Sequence, residues 1–217
     1  SVWCWGSNQH GQLGRPGGDR CFSLDAFDCA GRPAPVPGVH DAVALAAGAQ
    51  HTCALMTSGA AFCWGDGDYG QAGAGNGVYP DFVGPSPVAG GVSFTSLSAG
   101  DNSTCGTSVN GMYCWGEING LAGIPWRVSS YNGYSRVTVG RSHACAPWSV
   151  GSYRGVDCWG SNASGQIGHD PAVFGTSMVF TWGTGTGFDV VGASTRGDYT
   201  CVNQGNTTVQ CFGDNIR

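Results

Sequence analysis

Apolar residues along this chain come in short bursts separated by glycine-rich breaks, and no burst carries the spacing of an amphipathic helix. One stretch shows the pattern well. Ala42–Ala47, His51–Met56 and Ala61–Trp64 are β-compatible runs bounded by Gly48-Ala49-Gln50 and Ser58-Gly59. They are predicted as strands A, B and C of one unit, with a short strand D near Gly70–Gly73. No apolar run reaches the ~18 residues that a bilayer-spanning helix requires. The pattern predicts short antiparallel strands throughout.

The pattern also repeats. Cys4-Trp5-Gly6-Ser7-Asn8 runs on to Gly11-Gln12-Leu13-Gly14, and the phrase returns from Cys63 to Gly73 and from Cys158 to Gly168. A shortened copy spans Cys114 to Gly123, and a truncated one begins at Cys211-Phe212-Gly213. An opening phrase precedes each: Ala47-Gly48 to His51-Thr52-Cys53, Ala99-Gly100 to Thr104-Cys105, Gly140 to His143-Ala144-Cys145, and a degenerate form ending Tyr199-Thr200-Cys201. A period of ~40–50 residues made of short strands reads as propeller blades. The recurring Trp is expected to be packing between blades, its indole N–H satisfied by a carbonyl of the neighbouring blade.

Composition supports an all-β reading. Glycine accounts for 39 of the 217 residues, lysine is absent, and Glu117 is the only glutamate, so the usual helix-clothing residues are missing. A formal charge of −5 argues against a nucleic-acid partner. Eleven cysteines without a C-x-x-C pair point to disulfides and an oxidising compartment rather than to zinc ligation. Cys53–Cys63, Cys105–Cys114, Cys145–Cys158 and Cys201–Cys211 each flank a turn signal and are expected to bridge neighbouring strands. Cys21–Cys29 is expected to close its own loop. Cys4 is left unpaired, bound outside the chain, or rewired to Cys21 or Cys29. Asn102, Asn162 and Asn206 head N-x-S/T triplets on predicted turns, so glycosylation of a secreted chain is expected at these three.

The two phrases resemble the RCC1 repeat family, whose units open on an alanine-glycine-x-x-His-Thr stretch and close on Trp-Gly-x-Asn-x-x-Gly-Gln-Leu-Gly. The resemblance implies a β-propeller, commonly of seven blades, here one domain over residues 1–217 in units of about 1–39 (a half repeat), 40–92, 93–134, 135–188 and 189–217, and the cysteine spacing places a disulfide within each blade. The strand cysteines look like those of secreted members, such as the extracellular repeats of CRINKLY4-type receptor kinases, and the nuclear exchange activity of the founding member is not carried over. Four complete repeats and a half leave three arrangements: part of a longer propeller, an arc closed by another chain, or a small ring in which the C-terminal unit meets Trp3–Gly6. The small ring is the favoured expectation.

In a propeller, A–B and C–D turns share one face and the remaining connections share the other. Asn102 and Asn162 are therefore expected on the first face. The variable segments 15–39, 74–92, 124–134 and 169–188 are expected as blade-to-blade connections on the second, where long loops display recognition residues. The candidate anchors there are Tyr79, Phe82, Trp126, Tyr131, Tyr134 and Trp182, together with Phe174 and Phe180.

No catalytic constellation emerges: there is no GxSxG, no HExxH and no P-loop lysine. Gly65–Gly70 spells GxGxxG but belongs to the repeat's own turn. Asp66 and Asp68 form a fragmentary calcium motif. His51 and His143 share a repeat column with Ser103 and Tyr199, which favours a structural hydrogen bond over catalysis. His10, His40 and His169 stand alone, and Arg196-Gly197-Asp198 is weighed as a chance tripeptide beside a strand. No catalytic residue, metal or cofactor is expected. The function expected is a non-enzymatic extracellular module for protein recognition or assembly at a cell surface or filament, with self-assembly as one form. A carbohydrate-binding lectin and an inhibitor of a secreted enzyme are the alternatives.

Overall fold

A computed structural model of the chain describes residues 1–22, 26–75, 81–120, 122–170, 172, 180–185, 188–193, 197–204 and 208–214. Among these the structure is all-β apart from one 3₁₀ turn, Glu117–Asn119. The strands form five antiparallel sheets. Sheet 1 has the order β1 (Trp3–Ser7), β3 (Ala26–Pro35), β2 (Asp19–Phe22). Sheet 2 runs β4 (Ala42–Ala47), β5 (His51–Met56), β6 (Ala61–Gly65), β7 (Phe82–Pro87). Sheet 3 runs β8 (Ser96–Ala99), β9 (Ser103–Ser108), β10 (Gly111–Gly116), β11 (Ala122–Ser129). Sheet 4 runs β12 (Thr138–Val139), β13 (His143–Val150), β14 (Tyr153–Gly160), β15 (Phe180–Gly185), and sheet 5 runs β16 (Phe188–Ala193), β17 (Tyr199–Gln204), β18 (Thr208–Gly213).

Strands A, B and C lie where the alternation places them. Strand D does not. Gly70–Gly73 forms a pair of tight turns, with Gly73 N–H donating to Gly70 O at 3.0 Å. The fourth strands are β7, β11 and β15, inside segments expected to be free connections. This corrects the face assignment in part. Residues 66–81 link strand C to strand D beside the A–B turn, whereas 88–92 and 130–134 remain connections from strand D to the next sheet. Hydrogen bonds show the adjacency: Asp66 N–H donates to Gln50 O at 2.8 Å, Glu117 N–H to Asn102 O at 2.9 Å, and Ser161 N–H to Ser142 O at 2.8 Å.

All five expected disulfides are present. The four strand bridges join directly opposed residues of strands B and C, with Cα atoms 4.1 Å apart in every case. Cys4 carries a free thiol, half-buried, whose pKa is raised mainly by that burial. Cys21 and Cys29 are bonded to each other, which removes them as its partners.

Consecutive sheets pack through their repeated residues. Trp64, Trp115 and Trp159 are buried, and their indoles reach back to the preceding sheet. Trp64 Nε1–H donates to Gln12 O at 2.9 Å and Trp115 Nε1–H to Gln71 O at 2.8 Å, as the repeat predicts. In the third unit Leu121 replaces the glutamine. There Trp159 Nε1–H points to Cys114 Sγ at 3.4 Å instead. The glutamines themselves brace the loop: Gln12, Gln71 and Gln166 each accept the backbone N–H two residues before them. Trp5 departs from its column. It is 60% exposed, because no described strand covers that side of β1.

Candidate functional site

β1 pairs only with β3 among the described residues, so its other edge carries no ladder, although Arg15 Nη2–H donates to Cys4 O at 3.0 Å. No ladder joins β18 to Trp3–Gly6, so the ring closure favoured from sequence is not formed by strand pairing among these residues. Against the free edge lies a groove of about 320 Å³, lined by Trp3, Trp5, Leu13, Leu45, His51 and Thr52 among others. Trp3, Trp5 and Leu45 are each more than half exposed. Cys4 sits between the two tryptophans and also lines the groove. Its column-mates Cys63, Cys114, Cys158 and Cys211 all bridge to an adjacent strand B. Cys4 is thus the one member of a five-fold column whose bridging strand is missing from the described residues.

The expected binding anchors divide. Trp126 is 65% exposed on the edge strand β11 and is available for contact. Phe82 is half-buried against the cores of sheets 1 and 2. Tyr134 is buried: its hydroxyl donates to Asp157 Oδ2 at 2.5 Å, and burial raises its pKa strongly. Tyr131 packs edge-on to Tyr134 and Trp148, ring centroids 5.2 and 6.1 Å away, and its hydroxyl donates to Ser149 O. These rings cement their own loop. Trp182 and Phe180 lie on β15, while Tyr79 and Phe174 lie outside the described residues.

The sequons divide too. Asn102 is half-exposed on an A–B turn, its amide donating to Glu117 Oε2 at 3.0 Å. Asn162 is 1% exposed, and its carbonyl oxygen accepts Ile167 N–H at 3.2 Å while its amide reaches His169 O. That geometry leaves no room for a glycan, so the expected modification of Asn162 is withdrawn. Its repeat-mate Asn8 does the same work, accepting Leu13 N–H at 2.9 Å, and that shared column was the available signal. Asn206 and Arg196 lie outside the described residues.

The two column histidines are structural. His51 Nε2 lies 2.9 Å from Thr104 Oγ1, and that hydroxyl donates to Gln71 O at 3.0 Å. The same relay runs from His143 through Thr200 to Gln166 O, at 2.8 Å for each step. Because the hydroxyl proton is committed to the carbonyl, each histidine must donate from Nε2–H, and Nδ1 is left as a buried lone pair. Burial lowers both pKa values to about 4. Two further residues were missed as partners in sequence. His10 Nδ1 and Asp81 Oδ1 lie 3.3 Å apart, and Asp66 joins them.

Stacked antiparallel sheets of three or four strands with repeated seam residues define a propeller-type repeat protein. Its repeats are of the RCC1 kind: residues 1–55 and 42–71 match the family described as Regulator of chromosome condensation (RCC1) repeat, and the chain is an RCC1-like repeat propeller. Human E3 ubiquitin-protein ligase HERC2 is 31% identical over 168 residues, covering 69% of this chain and 3% of HERC2. The Arabidopsis thaliana Ultraviolet-B receptor UVR8 is 29% identical, covering 85% of this chain and 49% of the receptor. Among solved structures, Prp20p from Saccharomyces cerevisiae superposes with a TM-score of 0.73 at 21% identity, over 98% of this chain and 53% of Prp20p. The ectodomain of the receptor kinase CR4 from Physcomitrella patens gives 0.54 at 22% identity, over 82% and 43%. The chain therefore spans about half the length of UVR8 and of Prp20p, and far less of HERC2.

Proposed function

We propose that this chain is a non-enzymatic extracellular module for protein recognition or assembly, and that the free edge of β1 receives a cysteine-bearing β-strand from outside residues 1–217, in the same polypeptide or in a partner. The observation that carries the reading is the register of the cysteine column. In four sheets a strand-C cysteine faces a strand-B cysteine at 4.1 Å, and Cys4 presents the same position on an edge that no described strand pairs. Strand addition supplies main-chain hydrogen bonds, and the flanking Trp3 and Trp5 supply apolar area at low entropy cost. Five disulfides fit an oxidising compartment. No helix among the described residues is long and apolar enough to cross a membrane. The relatives support a protein partner by analogy: the Prp20p work names Gsp1p and histones as what that protein binds, and the CR4 structure is of a receptor ectodomain. The glycan alternative loses two of its expected stacking rings, since Tyr131 and Tyr134 are spent on each other.

The test is disulfide mapping of the protein from its native source, with Trp5→Arg and Cys4→Ser variants alongside. The expected result is a disulfide between Cys4 and a cysteine outside residues 1–217, lost in both variants while the other five bridges persist. A free Cys4 thiol, or a bridge from Cys4 to one of the other ten cysteines of residues 1–217, overturns the docking reading.

A further inference from the structure

The seam between sheets 1 and 2 holds a group of side chains that the repeat does not require. His10 comes from the tight loop after β1, Asp66 directly follows β6, and Asp81 directly precedes β7. One ligand atom from each lies within 4.8 Å of the other two. The loop is held there by close backbone packing: a Cβ on Gly11 would stand 2.7 Å from Val83 Cα, so residues 8–14 rest on the start of β7. The carboxylate of Asp66 is likewise fixed, its Oδ1 accepting Asp68 N–H at 2.9 Å.

We propose that His10, Asp66 and Asp81 form a site for one zinc ion that clamps sheet 1 to sheet 2, with solvent completing the coordination. The distances argue first. His10 Nδ1 and Asp81 Oδ1 are 3.3 Å apart, long for a charge-assisted hydrogen bond of about 2.8 Å. Two ligands on a tetrahedral zinc with bonds of about 2.0–2.1 Å stand about 3.3–3.4 Å from one another. The observed pair already spans one edge of that tetrahedron. Burial argues second. Asp66 is 3% exposed, and its ligand oxygen stands within 4.8 Å of that of Asp81. Two carboxylates gathered this closely, one of them buried, suit a divalent cation. Donor type argues third: an imidazole with two carboxylates suits zinc, whereas calcium takes six to eight oxygens. His10 and Asp81 have side chains 29% and 40% exposed, which leaves an entry path and an open position for water.

The experiment titrates zinc chloride into the chain carrying Cys4→Ser, which removes the one free thiol as a competing ligand. Calorimetry and thermal unfolding are read together. The expected result is one saturable equivalent and a raised Tm, with affinity falling at least about tenfold in His10→Ala and in Asp81→Asn, and unchanged in His169→Ala. Both ligand variants are at partly exposed positions, and intact mass confirms that their five bridges have formed. No saturable site, equal affinity in His10→Ala, or tighter binding of calcium than of zinc each overturns the assignment.

Discussion

His51 and His143 share a repeat column that favours a structural hydrogen bond, and the structure supplies one at each. Each donates Nε2–H to a threonine of the next sheet and keeps Nδ1 buried without a hydrogen-bond partner. Burial penalises the imidazolium, opposed at His143 only in part by Asp198 and the Tyr199 backbone, so the folded pKa falls to about 4 while the unfolded chain titrates near 6.5. Between those values the unfolded state binds more protons than the folded one. Stability is then complete above pH 6.5 and is lost as pH falls toward 4, by up to about 3 kcal/mol for each histidine. Urea unfolding at pH 7.5 and pH 4.5 checks this. A midpoint that does not move, or one that rises in acid, contradicts the neutral relay.

At the scale of single strands, the legible and illegible parts of the fold separate for physical reasons. Strands B and C announce themselves through cysteine, threonine and tryptophan at fixed offsets, and four bridges follow from that spacing. Strand D carries no such mark. β7 reads Phe-Val-Gly-Pro-Ser-Pro and β11 contains Pro125, a composition that argues against strand in the middle of a sheet. Both are edge strands, where one side of the backbone needs no ladder and proline is tolerated. The zinc site was hidden differently, since His10 and Asp81 are 71 residues apart and meet only when two sheets stack. The closing glycine of the repeat, by contrast, has a reason that the sequence does not show. Gly73 has φ +70, and a Cβ there would stand 2.8 Å from Trp115 Nε1. Gly18 has φ +89 with open space around it. Gly18→Ala is expected to cost about 1 kcal/mol from backbone strain alone. Gly73→Ala should cost about 2 kcal/mol more by displacing the indole from Gln71 O, read as a fall in chemical-denaturation midpoint. Equal losses would show that the seam does not need the close approach.

For the molecule as a whole, each sheet meets its neighbours through the same few atoms, so stability is carried by nearest-neighbour seams. Thr104 joins sheets 2 and 3, and Thr200 joins sheets 4 and 5. Replacing either by valine keeps the volume and strands a buried histidine N–H, at a cost of about 1–3 kcal/mol; Gln71 O keeps its Trp115 donor, whereas Gln166 O loses the Thr200 one. The two sites share no partner, so the double variant should lose the sum of the single losses to within about 0.5 kcal/mol. A markedly larger loss would reveal coupling that runs through the intervening sheets.

The backward reach of the indoles gives the molecule a direction. Gln12 O and Gln71 O sit in loops of one sheet and receive their donors, Trp64, Thr52, Trp115 and Thr104, from the sheet that comes after it in the chain. A nascent chain leaving the ribosome therefore presents a finished acceptor before the donor has been synthesised. Each new sheet can dock on a template already laid down, which favours assembly in the order of synthesis, like courses of brick.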